Sequence, residues 1–254
     1  MNEANTTIKA LMARKSVRVF EQEPMPEGDV RTILEAAVQA PTAGNMTLWT
    51  AIRVTDPRKK QALAASCDHQ PFIATAPLVL VFCADYKRWF DLFETIGEEQ
   101  LGEPLRRPGT GDFLLAAVDT VIAAHAAVVA ADALGYGSCY IGDILENCET
   151  QREILGLPAY VKPVCMAVIG KPTQQQRERQ KPPRFAVDDV VHENSYRDCG
   201  AEGMRAMLEA RQGLSGEEFD RWLLAFTRRK WNCDFSREMT RSGAQMIEDW
   251  NEGR

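Results

Sequence analysis

The sequence predicts a layered fold of the α+β or α/β type, with a mixed sheet flanked by helices. Apolar runs typical of strands alternate with segments in which apolar residues recur at helical spacing. The chain has 254 residues, of which 45% are hydrophobic, and this is enough to bury a substantial core. An alanine-rich stretch from Phe113 to Gly135 is interrupted by Asp119, His125 and Asp132. These charges favour a buried helix over a membrane span.

Five elements are predicted before residue 86. A short helix follows Thr6 and Thr7, either of which can cap it, and a second helix lies between Pro26 and Pro41. The remaining three are a strand at 50–55, a helix at 57–66 opened by its own proline, and a strongly apolar strand at 77–85.

Residues 86–110 differ in character from both neighbours. They are polar and aromatic, with two prolines and with glycines near their end. Such composition is typical of a surface segment. We therefore expect a lid or excursion over residues 85–111.

In the second half of the chain, helices and strands alternate up to residue 170, and the pattern changes beyond Pro172. The alanine-rich helix is followed by a strand at 138–142, a polar helix near 147–155 and a strand at 161–170. Beyond Pro172 we expect an irregular arm and helices at roughly 200–211, 215–230 and 236–250. The whole chain is predicted to be a single domain, 1–254, with residues 173–254 as a C-terminal arm and helices.

Charge and cysteine content limit the possible partners and compartment. The formal net charge is −6, from 36 acidic and 30 basic residues, which argues against general affinity for nucleic acid or anionic membranes. Seven cysteines have no metal-ligand spacing, three histidines are far apart, and no secretory signal precedes them. We expect a cytoplasmic protein without a metal site.

Glycine-rich phosphate motifs are missing from the sequence. Gly135, Gly137 and Gly142 lack the spacing of a dinucleotide fingerprint. Residues 14–20, RKSVRVF, are instead strongly basic, and Arg14 and Arg18 are one helical turn apart. The segment suits an anion, although a basic run at the end of a helix is also commonly a solvated face.

Several segments, in order, resemble signatures of the nitroreductase family of FMN flavoproteins. RKSVRVF resembles the family pattern Arg-x-Ser-x-Arg/Lys-x-Phe, and APTAGNMTLW resembles its Ala-Pro-Ser-x-x-Asn-x-x-Pro-Trp loop. HQPFIATAPLVLVFCAD, YIGDILEN and KPPRF resemble later segments of the family. The resemblance covers about residues 8–200 and is nearest to the branch of oxygen-insensitive NADPH nitroreductases and flavin reductases.

This resemblance implies a set of FMN-binding residues. It places Arg14 and the KPPR segment at the phosphate, Arg18 near flavin N1 and O2, and the YIG turn near N5, with the 41–45 loop contributed by the other subunit of a homodimer. The implied residues are Arg14, Lys15, Ser16, Arg18, Pro41, Thr42, Ala43, Asn45, Gln70, Tyr140, Ile141, Gly142, Asp143, Lys181 and Arg184. Arg228 and Arg229 are candidates for the 2'-phosphate of NADPH, the alternative being a solvated helix end.

The implied function is a homodimeric FMN oxidoreductase. NAD(P)H would deliver hydride to flavin N5, and a nitroaromatic, quinone or flavin acceptor would then take the electrons in a ping-pong sequence, with no protein residue as catalyst. The alanine-rich helix would pack closely at the dimer interface, and Asp143, which replaces a glycine of the family, is expected to face solvent. Alternatives are an FMN reductase, a reductive dehalogenase, a non-catalytic flavin-binding module, or a cysteine hydrolase using Cys139 and His125.

Overall fold

The structure is a computed structural model that describes residues 5–254, apart from the side chain of Glu98. Two compact units can be distinguished in it. The first unit consists of the chain up to Arg179 together with Glu238–Arg254, and the second unit is Gln180–Arg237. The predicted α+β class is confirmed, because helices surround a four-stranded sheet in the first unit.

The sheet is antiparallel at all three of its strand pairings. It contains β1 (Trp49–Arg53), β2 (Leu78–Asp85), β3 (Gly137–Ile141) and β4 (Val161–Gly170), in the order β1-β2-β4-β3. Among residues 5–254, the one parallel pairing expected of a mixed sheet is an isolated bridge between Ser16 and Ser138. All eight residues of β2 are buried, as expected for a central strand covered on both faces.

In the described part of the first unit, nine helices lie wholly within that unit. They are α1 (Thr6–Ala13), α2 (Glu27–Val38), α3 (Pro57–Ser66), α4 (Pro71–Thr75), α5 (Lys87–Phe93), α6 (Glu98–Leu101), α7 (Thr110–Ala133), α8 (Cys148–Leu155) and α9 (Gln174–Glu178). The predicted cap of α1 is wrong. Asn5 is the N-cap, and its side chain accepts a hydrogen bond of 2.8 Å from the Thr7 amide.

Alternating residues of β2 supply two separate apolar layers. Val79, Val81 and Cys83 point into a cluster that includes Leu63 of α3. Leu78, Leu80 and Phe82 point to the other face, where α2 and α7 cover the sheet. This alternation is the period of a β-strand, and it fixes which helices lie on which face.

Helix α7 has one buried and one exposed face, so the prediction of a buried helix is correct for half of its circumference. The buried face consists largely of alanines: Ala116, Ala123, Ala124, Ala127 and Ala131. Their small side chains let α7 pack close to the sheet of its own chain. Larger side chains between 38% and 57% exposed form the other face: Leu114, Leu115, Val118, Val121 and Ile122. By length and composition α7 would also suit a membrane span, but core helices pass the same test.

The first part of the predicted excursion belongs to the core. Tyr86 and Phe90 are buried, and the Phe90 ring meets the Tyr160 ring edge-on at 5.2 Å. Aromatic side chains on α5 thus fill space beside the end of the sheet. From Glu94 to Leu101, by contrast, the described side chains are exposed.

The second unit is helical. It contains α10 (Val187–Val190), α11 (Gly200–Gln212), α12 (Gly216–Lys230) and the start of α13 (Asp234–Glu252), whose residues from Glu238 onward belong to the first unit. The three helices predicted for this region are confirmed to within two residues at each end. Within the unit, the Arg211 guanidinium lies 4.2 Å from the centre of the Phe185 ring.

Candidate functional site

The basic segment 14–20 leaves its helix at once and runs along β3. Arg14 is the C-cap of α1 with ψ of 131°, and the Val17 amide donates to the Ser138 carbonyl at 2.8 Å. Gly137 permits this approach, because a Cβ there would lie 2.6 Å from Val17 Cγ2. Arg14 and Arg18, although one helical turn apart in sequence, therefore do not share a helical face, since the backbone between them is not helical.

Unpartnered polar groups are concentrated where this segment meets β3. Of eight buried side-chain N or O atoms without a hydrogen-bond partner in the described residues, four lie here: Arg14 Nη1, Ser138 Oγ, Tyr140 Oη and Arg179 Nε. Burying such groups without partners is costly. A ligand carrying anionic and polar oxygens would satisfy them.

Arg179 is a candidate that the sequence reasoning missed. Its Nη2 donates to the Ser16 carbonyl at 2.5 Å, while its Nε is buried without a partner. The residue lies in the first unit, two positions before Lys181 of the predicted KPPR clamp. The sequence feature that could have indicated Arg179 is the basic run RERQK at residues 177–181, which directly precedes and overlaps the KPPR segment in the chain.

Lys15 has a different environment from its neighbours. Its ammonium donates to the carbonyl of Arg177 at 2.6 Å and to that of Arg179. Lys15 thus holds the C-terminal end of α9 against the basic segment, whereas Arg18 is exposed. Arg14 and Arg179 thus keep unpartnered N–H donors that could bind a ligand, whereas the Lys15 ammonium donates to protein carbonyls.

The positive charges of the segment affect ionisable groups on α7 and on β3. Burial raises the pKa of the Asp132 carboxyl to about 6, although the positive charge of Arg14 opposes the rise. Burial also raises the pKa of the Tyr140 hydroxyl and of the Cys139 thiol, and Arg14 again acts in the opposite direction. Because Cys139 is buried and His125 lies on the exposed side of α7, the arrangement does not favour the cysteine hydrolase.

The 41–45 loop and Gln70 lie in the first unit. Pro41 and Asn45 are exposed, and Ala43–Asn45 form a 3-10 turn. Gln70 follows Asp68 and His69, whose φ angles of 53° and 51° are left-handed. Its side-chain amide donates to the Cys67 carbonyl at 3.0 Å, which orients it.

The YIGD turn is built from the end of β3. Tyr140 and Ile141 complete the strand, and Gly142 is exposed at the start of a 3-10 turn, Gly142–Leu145. Asp143 was expected to face solvent, but it is half-buried. Its negative charge raises the pKa of the Glu146 carboxyl.

Glu146, at the end of this turn, was not predicted as a site residue. It is only 7% exposed, and its Oε1 has no partner. Burial raises the pKa of its carboxyl to about 7, helped by the negative charges of Asp143, Asp68 and Glu238. At neutral pH this carboxyl is thus partly protonated.

The remaining predicted residues lie in the second unit. Lys181 is half-buried, and Arg184 is exposed with its Nη1 3.4 Å from the Pro182 carbonyl. Arg228 and Arg229 are exposed in the last turn of α12.

Cavities occur in both units. Two cavities of about 210 and 370 Å³ in the first unit share Phe90, Phe93 and Leu105 as lining residues. A third, of about 300 Å³, is lined by residues of the second unit that include Phe185 and His192. The described residues contain no cluster of three or more side chains suited to a metal ion.

Comparison with known proteins identifies the family. The model of the nitroreductase family matches residues 11–171, a range that contains the basic segment, the 41–45 loop and the YIGD turn. The chain belongs to the nitroreductase family. Lys181, Arg184, Arg228 and Arg229 lie beyond the matched range.

Curated relatives of the family align with about three quarters of the chain. An FMN reductase (NADPH) of Bacillus subtilis is 31% identical over 192 residues, which are 76% of this chain and 75% of the relative. An oxygen-insensitive NADPH nitroreductase of Salmonella typhimurium is 33% identical over 190 residues, covering 75% and 74% of the two chains.

Solved structures of this family extend the similarity to nearly the whole chain. Nitroreductase A of Vibrio parahaemolyticus is 26% identical with a TM-score of 0.77, covering 95% of this chain and 98% of that one. The NADPH:FMN oxidoreductase of Vibrio harveyi, solved in complex with NAD+, is 26% identical with a TM-score of 0.76, at 94% and 98% coverage.

Proposed function

We propose that this protein is an FMN-dependent oxidoreductase that takes hydride from NADPH or NADH and reduces small-molecule acceptors. The observation that carries the proposal is the set of unpartnered donors where residues 14–20 meet β3. Relatives named as FMN reductase and NADPH nitroreductase support the cofactor and the electron donor. The protein is therefore an enzyme of the flavoprotein class.

The residues present fit FMN chemically. Arg14 and Arg179 each have a buried guanidinium nitrogen without a partner, and guanidinium groups bind phosphate and carbonyl oxygens through charge-assisted hydrogen bonds. Ser138 and Tyr140 add hydroxyl groups beside them. When bound, FMN would supply a ring that accepts hydride at N5 and passes electrons onward.

Each predicted residue has a role that its side chain can perform. Arg18 would place a fixed positive charge at the N1 and O2 edge of the ring, where negative charge develops on reduction. Ser16 and Gln70 would offer neutral hydrogen bonds, and the backbone of Gly142 would face N5, as the resemblance implies. Lys181 and Arg184 would contribute to the phosphate, as the resemblance implies.

The acceptors we propose are nitroaromatics, quinones and free flavins. The nucleotide and the acceptor would use the same face of the site in turn, in a ping-pong sequence. Protein side chains would bind and orient the reactants rather than react covalently. Arg228 and Arg229 would bind the 2'-phosphate of NADPH through their guanidinium groups.

The assembly we propose is a homodimer in the cytoplasm. The exposed apolar face of α7, from Leu114 to Ile122, is a contiguous stripe along about two and a half helical turns. Such a patch on a soluble protein marks an interaction surface, and a second copy would cover it. All seven cysteines are free thiols, as is usual in a reducing compartment.

A visible absorption spectrum of the purified protein tests the proposal directly. Flavin bands that bleach on anaerobic addition of NADPH or NADH would establish the cofactor and the donor. Rapid return of the bands with a nitroaromatic, a quinone or free FMN would then rank the acceptors. A protein that binds no FMN would refute the proposal, and one that binds FMN but is reoxidised slowly by every acceptor would be a flavin-binding module.

A further inference from the structure

Residues 42–47 have a backbone that an isolated loop would not keep. Gly44, Asn45 and Thr47 have φ angles of 57°, 57° and 53°. This left-handed conformation is costly for residues with a Cβ, most of all for β-branched threonine. The surrounding structure must therefore hold the loop in this shape.

A buried carboxylate on α7 ties both ends of the loop. Asp119 is 3% exposed, and its Oδ2 accepts a short hydrogen bond from the Thr42 hydroxyl. The Ala43 amide donates to Asp119 Oδ1 at 3.1 Å, and the Thr47 amide donates to Thr42 Oγ1 at 2.8 Å. One charged group thus fixes the start of the loop directly and its end through the threonine hydroxyl.

Two side chains of helix α5 hold the rest of the loop by donating hydrogen bonds to backbone carbonyls of the loop and of the strand that follows it. The Arg88 Nη2 donates to the carbonyls of Thr47 at 2.9 Å and Trp49 at 2.7 Å. The Trp89 indole donates to the Met46 carbonyl at 2.6 Å. Polar groups of the loop that face the protein are therefore satisfied, and those at Asn45 remain directed outward.

We propose that Asp119 is a positioning residue for cofactor binding, which holds residues 42–47 in the conformation that receives FMN. The inference rests on the proposed function. Asp119 acts through Thr42 and touches no reactant itself. A buried carboxylate suits this task because it only accepts hydrogen bonds, and the hydroxyl and amide donors of the loop give it a unique arrangement.

Asp119 lies on the helix that also carries the proposed dimer surface. Its neighbour Val118 lies on the exposed apolar face of the same helix. The anchor of the loop and the proposed dimer surface thus lie on the same helix. Covering α7 by a second copy would also fix the anchor of the loop.

The test is a double-mutant cycle on FMN affinity. Asp119→Asn, Thr42→Val and the double variant would be titrated with FMN as apoproteins, by quenching of flavin fluorescence, and melted without FMN. Thr42→Ser keeps the hydroxyl and serves as the conservative variant. Thr120→Val is the matched control, because it removes a buried hydroxyl that donates to the Ala116 carbonyl at 2.6 Å on the same helix.

We expect Asp119→Asn and Thr42→Val each to weaken FMN binding about tenfold or more, as for loss of a hydrogen bond to a charged group. The double variant should be little weaker than either single one, since both break the same link. Thr42→Ser, which keeps the hydroxyl, should recover most of the affinity that Thr42→Val loses. Thr120→Val should lower the melting temperature but leave FMN affinity within about twofold.

Other outcomes would overturn the inference in distinguishable ways. FMN affinity unchanged in both single variants would show that the anchor does not set the loop for binding. Additive losses would show that Thr42 acts independently of Asp119, and a similar loss in Thr120→Val would indicate a general effect of destabilising α7. A wild-type protein that binds no FMN would remove the proposed function itself. Asp119→Asn and Thr42→Val break the same link from its two ends, so one variant that fails to fold leaves the other to decide.

Discussion

Replacing Glu146 with glutamine should stabilise the protein at pH 8 and leave its stability nearly unchanged at pH 4.5. The carboxyl is buried beside Asp143, Asp68 and Glu238, and its pKa is raised from 4.5 to about 7. In the folded protein it keeps its proton up to about pH 7, whereas the unfolded chain releases it near 4.5. Stability is therefore lost as the pH rises through this window.

The size of the effect follows from the same pKa values. A rise from 4.5 to about 7 corresponds to about 3 kcal/mol at most. Water at the edge of the acidic cluster and screening by salt reduce this to about 1–2 kcal/mol. For a chain of this length, about 1 kcal/mol moves the melting temperature by roughly 2–4 °C. Glutamine has nearly the same shape and does not ionise, so it should recover most of the loss above pH 7.

The assay is thermal unfolding of the apoprotein at pH 4.5, 6 and 8 at constant ionic strength. The difference in melting temperature between Glu146→Gln and the wild type should grow with pH. Glu153→Gln, on the exposed side of α8, controls for loss of one negative charge. An equal difference at all three pH values would refute the reasoning, because it would assign the effect to shape or hydrogen bonding rather than to ionisation.

Three further predictions concern the proposed cofactor site and assembly. Arg18→Ala should lower the midpoint potential of bound FMN by about 30–60 mV, from loss of a charged hydrogen bond, and an unchanged potential in a redox titration would remove its role at N1. Arg184→Ala should weaken FMN binding about tenfold but leave the potential almost unchanged, and wild-type affinity would refute the phosphate assignment. Val118→Glu should convert the proposed dimer into a monomer in light scattering, because a carboxylate would enter the apolar face of α7, whereas Val118→Ala should remain dimeric. A Val118→Glu dimer would place the interface elsewhere.

The local elements were well predicted because their signals lie within short stretches of sequence. β2 reads as a continuous apolar run, and Pro57 opens α3 where its fixed φ is compatible with a first helical turn. The motifs of the nitroreductase family were also found in the sequence, since each is a few consecutive residues. Strand order and pairing direction were not predicted, because pairing depends on contacts between distant residues.

The faces of α7 show the limit of pattern reasoning. The helix is apolar around most of its circumference, so its sequence does not distinguish the side that packs on the sheet from the side that remains exposed. Only the structure shows that the alanines face inward. The larger Leu, Val and Ile side chains therefore form the outer surface.

The sequence by itself determined the α+β class, the helix and strand positions, the family, and the basic segment 14–20 as an anion-binding candidate. Only the tertiary structure decided that Asp119 ties Thr42 across 77 positions, that Arg179 lies against Ser16, and that Glu146 is buried among other carboxylates. The reason is physical. Backbone preferences and side-chain periodicity are properties of neighbouring residues, whereas burial, hydrogen-bond pairing and pKa arise from groups that meet only when the chain has folded.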